Sequence, residues 1–425
     1  MKKYLLPVGF LLSFFPFYAQ ESVGTSIGSG YAEQSYYRLT DDAVFNIDNT
    51  AWDIAFTTFG TTDGGIHVNE SAKTEFLPPI QPSVELYAAP TNDFADVINP
   101  DDLTTRLLND EKSWLYGAVN NGHNENNPDD YGWGIFDDGA NAVLGNKVFA
   151  IKLRSGQWKK FQVVSLQAGV YTLLYANPDG SDETTLSIDK ANFTGGLAFF
   201  SFETGDLFDI DTPADWDIVF QRYITPIVDN NGDTIPFPVT GVLSAHGVEV
   251  AEAGGVDPVS AAFEDWQDSL SSVTDVIGYD WKSFDNGWTL RDDLAYFVKT
   301  TTGHLWKIVF TDFTGASSGT IIFDKYDIGG PIATSSTHTT LTGLKVSPNP
   351  AHREATAVFT LKKTVNDLRL SLHNTLGLEV WSSPPVSARK GLQAMTMRHL
   401  PDVPGTYILF INAGGEVTSQ RVVLQ

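Results

Sequence analysis

Cysteine is absent from the 425-residue sequence, methionine occurs only three times, and basic residues are few. Without cysteine, a disulfide scaffold, a thiolate zinc site and a cysteine nucleophile are all excluded. The 27 Lys+Arg face 52 Asp+Glu, which gives a formal net charge of -25. Nucleic acid is therefore not expected as a partner, because its phosphate backbone would be repelled. The length predicts two or three domains, each large enough to bury its own core.

The N-terminus has the composition of a secretory signal peptide. Lys2 and Lys3 are followed by an apolar run over residues 4–18 and by the small residue Ala19. A membrane anchor is the alternative, but the run of about 15 residues is shorter than the roughly 20 that span a bilayer. We therefore predict that residues 1–19 are an export signal. No later stretch is apolar enough to predict a membrane span.

The charge changes sign near the C-terminus. From Leu344 to the end there are nine Lys+Arg and five Asp+Glu, a net charge of +4, whereas residues 20–343 carry a net charge of -31. Just before this change, residues 329–343 read GGPIATSSTHTTLTG and show no periodicity. This composition predicts a flexible Ser/Thr/Gly linker between separate modules.

Residues 344–425 contain short alternating strands punctuated by Gly and Pro, which predicts a small β-sandwich. Three of its segments are specific: Val346-Ser-Pro-Asn-Pro350, Leu372-His-Asn-Thr-Leu-Gly-Leu-Glu-Val380 and Gly405-Thr-Tyr-Ile-Leu409. Through them the module resembles the type A C-terminal sorting domain of the type IX secretion system of Bacteroidota. The resemblance implies that this machinery is a partner and that it exports the chain to the cell surface or the medium, usually with cleavage of the module. A generic terminal β-sandwich is the alternative.

The body of the chain contains a tandem duplication. Five blocks match in order: Tyr36–Ile47 with Phe199–Ile210, Thr50–Phe56 with Ala214–Phe220, Val84–Leu86 with Val248–Val250, Tyr131–Asp137 with Tyr279–Asp285, and Phe149–Gly156 with Tyr296–Gly303. The offset is 163 or 164 residues in the first three blocks and 147 or 148 in the last two. We predict a first repeat over residues 20–176 and a second over residues 177–328, each the size of one domain.

Each repeat is predicted to be mainly β. The alternating strands that begin at Trp52 and Trp216 place each indole on a buried face, so these two residues are the expected core anchors. Hairpins are predicted around residues 154–157 and 302–304. Short helices are predicted over residues 100–108 and 258–270, since each stretch begins with Pro and Asp. The fold class is therefore mainly β, with short helices and a C-terminal β-sandwich.

The second repeat resembles the HmuY family of haem-binding proteins. The resemblance rests on five segments: Phe199–Leu207, Trp216–Tyr223, Leu294–Thr300, Lys307–Phe313 and Gly319–Phe323. It implies haem as the ligand, with axial donors in the loop before the terminal hairpin. Residues 273–293 of the second repeat contain neither His nor Met, whereas His123 lies in the corresponding loop of the first repeat. His123 is thus the candidate axial ligand, and a solvated loop histidine is the alternative.

Calcium is the second candidate cofactor. Asp229, Asn231 and Asp233 offer oxygen atoms at alternating positions, as a calcium-binding loop does. The same residue types are also the usual ones of a plain turn. Both interpretations stay open.

No enzyme motif is present: the sequence has no Gly-x-Ser-x-Gly elbow, no His-Glu-x-x-His pair and no phosphate-binding loop. We therefore predict a non-catalytic, exported binding protein of the cell surface or medium, for haem or another small ligand. The alternative is a structural or adhesive surface protein that presents its duplicated domains to proteins or glycans.

Overall fold

The structure is a computed structural model and describes residues 20–71, 83–210, 216–229, 231–329, 341–374, 379–414 and 416–425. The predicted export signal and residues 330–340 of the predicted linker lie outside these ranges. The described residues up to Gly329 form one compact unit, and those from Leu341 form a second. No helix in the described ranges has the length and apolar character that crossing a bilayer requires.

The regular secondary structure of the first unit is almost entirely β-strand, which confirms the predicted fold class. Its first fifteen strands are β1 Gln20–Ser26, β2 Glu33–Arg38, β3 Ala43–Asp48, β4 Ile54–Thr57, β5 Ile66–Val68, β6 Glu85–Ala88, β7 Arg106–Leu107, β8 Gly134–Asp137, β9 Ala142–Gly145, β10 Phe149–Lys152, β11 Trp158–Gln167, β12 Val170–Ala176, β13 Thr184–Asp189, β14 Leu197–Phe200 and β15 Leu207–Asp209. The next eight are β16 Ile218–Val228, β17 Thr234–Ser244, β18 Glu249–Gly254, β19 Lys282–Phe284, β20 Trp288–Leu290, β21 Leu294–Lys299, β22 Leu305–Phe313 and β23 Thr320–Gly329.

Each repeat contributes one large and one small antiparallel sheet. The large sheets run β13-β12-β11-β10-β6-β7 and β1-β23-β22-β21-β18, and β8 and β9 extend the first of them. The small sheets run β15-β14-β4-β5 and β3-β2-β16-β17. The two predicted hairpins are present as β10–β11 and β21–β22.

The two repeats exchange their first three strands. In the first repeat, β12 is covered by β13 and β4 by β14, although β13 and β14 belong to the second repeat. In the second repeat, β23 is covered by β1 and β16 by β2, although β1 and β2 belong to the first. The register is also equivalent, because Ile54 pairs with Phe200 as Ile218 pairs with Tyr37. Strands β1–β3 therefore close the second repeat as β13–β15 close the first.

Neighbouring side chains on the exchanged strands point to opposite faces of the sheet and so pack in two different cores. Phe200 points into the core between the two sheets of the first repeat, and its neighbour Phe199 points the other way, toward the second repeat. There the Phe199 ring packs edge-on against Trp52 at 5.1 Å, as Tyr36 packs against Trp216 at 5.0 Å. Both indoles are 4% exposed, so the predicted core anchors are confirmed.

The two predicted helices are wrong. Residues 100–108 form a 3-10 turn, Pro100–Asp102, followed by strand β7, and residues 258–270 contain the 3-10 turns Phe263–Asp265 and Gln267–Ser269. The remaining 3-10 turns of the described ranges are Ser29–Tyr31, Ala118–Asn120, Lys190–Asn192 and Gly315–Ser317. Three residues per 3-10 turn already bring side chains at i and i+3 to one side, so Phe263 and Trp266 pack on the second large sheet without an α-helix.

The second unit contains two antiparallel sheets around a single core. Its strands are β24 Leu341–Ser347, β25 Glu354–Leu361, β26 Val365–Asn374, β27 Glu379–Ser382, β28 Val386–Ala388, β29 Gly391–Arg398, β30 Gly405–Ala413 and β31 Glu416–Leu424. One sheet runs β24-β25-β29 and the other β27-β26-β30-β31, with β28 beside β26. Phe359 from the first sheet and Leu370 and Leu409 from the second share the core, which is the arrangement of a β-sandwich.

Candidate functional site

A cavity lies between the two small sheets of the first unit, where the repeats meet, and we call it the inter-repeat cavity. Tyr36 and Phe199, from the exchanged strands β2 and β14, line it together with Trp52. Its volume is about 50 Å³. This space holds a few water molecules or a ligand of a few atoms, since pockets for drug-sized molecules begin at roughly 300 Å³. In this conformation it is too small for haem.

One wall of the inter-repeat cavity is polar because the chain places amide side chains there from both repeats. Gln34 of β2 donates from Nε2 to Oε1 of Gln221 on β16 over 2.6 Å. Tyr36 donates its hydroxyl to Gln34 Oε1 over 3.3 Å. This chain of hydrogen bonds exists only when β2 lies on β16, so the exchanged strand completes the cavity.

Glu70 is the most deeply buried carboxyl group of the wall. Its Oε1 accepts the backbone N–H of Asn109 at 2.8 Å, and its Oε2 accepts that of Ile224 at 3.3 Å. Burial raises the pKa of Glu70 to about 7, although the two N–H donors act against this shift. The group therefore changes charge near neutral pH and joins strand β16 of the second repeat to a loop of the first.

His67 and Trp114 form the opposite corner. His67 Nε2 lies 2.8 Å from the backbone oxygen of Trp114, and the two rings meet edge-on at 5.3 Å. Burial lowers the pKa of His67 to about 4, so the imidazole is neutral at physiological pH. Trp114 in turn donates its Nε1 hydrogen to the backbone oxygen of Ser244 over 2.7 Å. These contacts tie the first repeat to β17.

The two equivalent tryptophans differ in their hydrogen bonds. Trp216 Nε1 donates to the backbone oxygen of Gly195 over 2.9 Å, whereas Trp52 Nε1 has no partner among the described residues. An unpaired buried N–H group costs about 1–3 kcal/mol, unless water or a ligand accepts its hydrogen. Trp52 also lines the inter-repeat cavity.

Glu111 lines the cavity, and Asp275 lies close enough to feel its charge. Burial, and next the nearby charge of Glu111, raise the pKa of Asp275 to about 6. Glu111 also accepts a hydrogen bond from the Thr225 hydroxyl over 3.2 Å. Two neighbouring carboxyl groups beside the cavity favour an uncharged or cationic ligand over an anion.

The buried carboxyl groups predict that stability falls as pH rises from about 4.5 to 7. The folded chain keeps the proton of Glu70 up to about pH 7, and that of Asp53 up to about 6, at pH values where the unfolded chain has already lost both. His67 acts in the opposite sense below its unfolded pKa, because only the unfolded chain protonates it above about pH 4. The two carboxyl groups and Asp275 together outweigh this single histidine.

Glu70→Gln is the variant that tests this pH dependence. We expect it to flatten the decline between pH 5 and pH 7.5 by about 2–3 kcal/mol. Urea unfolding followed by tryptophan fluorescence measures this, since nine of the ten tryptophans precede Gly329. The exposed Glu183→Gln change is the matched control. A decline of the same size in wild type and Glu70→Gln would contradict the assignment.

The candidate haem ligand His123 lies outside the inter-repeat cavity. Its ring stacks on Tyr116 with 4.1 Å between centroids, and Nδ1 is 3.3 Å from the backbone oxygen of Asn120. In the described part of the chain, no group of three or more His, Asp or Glu side chains could hold a metal ion. Haem binding through His123 stays a prediction that rests on the family resemblance.

The candidate calcium residues lie at the tip of the β16–β17 hairpin. Asp229 Oδ1 accepts the backbone N–H groups of Asn231 at 2.8 Å and Asp233 at 2.9 Å. These bonds are those of an Asx turn and lower the pKa of Asp229. The carboxylate is thus engaged in shaping the turn, and calcium binding at this position stays a prediction.

The residues of the inter-repeat cavity carry no motif, and one signal in the sequence could have indicated them. The repeat has Gln221 and Arg222 in the second copy where the first has Thr57 and Thr58. Gln221 and Arg222 both line the cavity. A break in an otherwise matching strand therefore marks the position where the two copies differ in function or packing. The glutamate at position 70 has no such signal.

No family model matches the chain, and no curated protein matches it. Among solved structures, PorZ, a surface component of the type IX secretion system of Porphyromonas gingivalis, is 11% identical with a TM-score of 0.16. The match covers 96% of this chain and 58% of PorZ. Latent PorU of the same organism is 10% identical with a TM-score of 0.16, over 67% of this chain and 31% of PorU. TM-scores this low do not define a shared fold.

Proposed function

We propose that the chain is an exported binding protein of the cell surface or medium and that residues 344–425 direct its export through the type IX secretion system. The observation that carries the proposal is the division of the chain. Its last part is a compact unit of its own, and the boundary falls in the segment whose composition predicts a linker. A sorting signal must be recognised, and often cleaved, independently of its cargo, which a separate unit on a linker allows.

Two segments on which the resemblance rests include strand residues of the second unit. Val346 and Ser347 are the last residues of β24, and the Gly405–Leu409 segment begins β30 in the interior of the larger sheet. Leu409 is fully buried in the core. The second segment therefore contributes to the core of the unit, as expected for a module that is recognised in its folded form.

The first unit is the proposed binding body. Its inter-repeat cavity fits a ligand of a few atoms, whereas its surface offers larger contacts. On the β19–β20 hairpin, Phe284 is 65% exposed and packs edge-on against Trp288 at 5.1 Å. Val228 and Phe237 are also exposed on the β16–β17 hairpin. These side chains favour the second candidate function, adhesion to a protein or glycan.

Deletion of residues 344–425 tests the export proposal. In the bacterium that produces the protein, we expect the full chain in the surface and culture-medium fractions. The chain that ends at Gly343 should lose most of this pool and accumulate in the periplasm, because it lacks the sorting module. Immunoblots of the separated fractions measure the distribution.

Two further strains complete the design. A reporter protein that carries residues 1–19 at its N-terminus and residues 329–425 at its C-terminus should leave the cell, which would show that the module is sufficient to release an exported protein. The same fusion in a strain without a working type IX system should stay in the periplasm. Equal release of the full and shortened chains would overturn the proposal.

A further inference from the structure

The closing segment, residues 20–48, holds the second repeat together through two strand pairings. Strand β1 pairs with β23 over seven residues, from Gln20 opposite Tyr326 to Ser26 opposite Thr320. Strand β2 pairs with β16 over three, with Tyr36 opposite Val219. Without this segment, both acceptor strands would be open edges.

Buried polar groups specify this closing segment. Asp217 Oδ2 accepts the backbone N–H of Leu39 over 2.7 Å. The 3%-exposed Lys325 donates to the backbone oxygen of Leu39 over 3.0 Å and forms an ion pair with Asp42. Because an unpaired buried charge is costly, these contacts select this segment over an unrelated strand.

The first repeat has equivalent acceptor strands, and strands of the second repeat pair with them. There Asp53 Oδ2 accepts the backbone N–H of Phe202 over 2.7 Å, as Asp217 accepts that of Leu39. The segment that fills it, residues 184–209, comes from the repeat that follows in the chain. The acceptor strands of each repeat thus bind the N-terminal strands of the other repeat. In the first repeat these strands come later in the chain, and in the second they come from residues 20–48, which lie far earlier in the chain.

We propose that the second repeat also accepts the closing segment of a second copy of this chain, so that copies join through exchange of residues 20–48. The contacts would be those of the closed monomer, made between chains instead of within one. The interface is head-to-tail, because the closing segment of one copy meets the acceptor strands of the next. Such contacts form either closed rings or open chains of copies.

Protein concentration decides whether the closing segment stays on its own chain or binds a second copy. A tethered segment has an effective concentration in the millimolar range, so dilute protein closes on itself. Exchange between copies makes no new type of contact, and its population relative to the closed monomer rises with the concentration of chains. Display at high density on a surface is the condition that favours it.

Cysteine cross-links between chains test the proposal, since the sequence contains no cysteine of its own. Ser22 and Asp324 are Cα partners in the β1–β23 pair. Antiparallel partners lie about 4.5–5.5 Å apart, within the range of a disulfide. Full-length Ser22→Cys and Asp324→Cys chains are mixed, unfolded in urea, refolded at rising concentration and oxidised. We expect a disulfide-linked heterodimer on non-reducing gels whose fraction rises with concentration.

Leu174→Cys supplies the matched control. Leu174 of β12 is the position in the first repeat that is equivalent to Asp324. Its Cα partner is Thr185 of β13, which already covers this edge. Mixed with Ser22→Cys, it should give no heterodimer above background. The single chain that carries both Ser22→Cys and Asp324→Cys should cross-link within itself, which shows that the cysteines are tolerated.

Two results would overturn the proposal. One is an intrachain cross-link in the double variant without any interchain cross-link in the mixture, even at the highest concentration. The other is an intrachain cross-link in a single chain that carries both Ser22→Cys and Leu174→Cys, because the first repeat would then hold its own N-terminal strand.

Discussion

Deletion of the closing segment, residues 20–48, is expected to abolish the folded state of the second repeat. Tyr37 packs edge-on against Phe323 at 5.3 Å, and Tyr36 against Trp216 at 5.0 Å. Loss of these two buried tyrosines alone forfeits about 3–6 kcal/mol. The deletion also leaves Lys325 without Leu39 and Asp42. These losses are comparable to the whole stability of a domain, about 5–15 kcal/mol.

A circular permutant distinguishes loss of the strands from loss of chain length. Gln20 lies opposite Tyr326, so the start of β1 is next to the end of β23. In the first repeat, residues 177–183 connect the equivalent strands β12 and β13 as a hairpin. The permutant starts at Asn49, runs to Tyr326, continues through a copy of residues 177–183 and ends with residues 21–48.

We expect the permutant to unfold cooperatively in urea with a midpoint close to that of residues 20–329. The deleted chain, residues 49–329, should show a broad or absent transition and rapid hydrogen exchange in β16 and β23. Tryptophan fluorescence and exchange mass spectrometry measure both. A deleted chain as stable as the intact unit would show that the exchanged strands are dispensable.

The sequence predicted the strands well because their evidence is local. Alternation placed Trp52 and Trp216 inside, and the matching blocks paired Tyr36 with Phe199, which occupy equivalent positions in the structure. The exchange could not be predicted in the same way. A strand with the right alternation fits either repeat, and nothing in the pattern of residues 20–48 says which acceptor it covers.

The candidate site was less accessible to prediction for a related physical reason. Gln34 meets the second repeat because strand β2 is exchanged, and Glu70 reaches the backbone of Ile224 from the loop after β5, which also lines the inter-repeat cavity. The burial of two lysines could not be predicted from the sequence either. Lys160 and Lys307 are equivalent, and each donates to two backbone oxygens of a loop, although Lys normally indicates an exposed position.

The second large effect is expected from Trp281→Ala. Trp281 is 2% exposed and stacks on Phe310 with 4.0 Å between ring centroids. The ammonium group of Lys282 lies 4.1 Å from the centre of the same indole. Removing a buried tryptophan costs about 3–5 kcal/mol, because the lost contacts leave a cavity that a rigid β-core does not refill.

Trp288→Ala is the matched control, because Trp288 lies close by on the β19–β20 hairpin and is 37% exposed. It loses its edge-on contact with Phe313 at 4.8 Å, so a smaller destabilisation is expected. Urea midpoints of the two variants give the comparison. If Trp288→Ala proved as costly as Trp281→Ala, the hairpin would be a structural part of the core, and its aromatic side chains would no longer be free to serve as the adhesive surface.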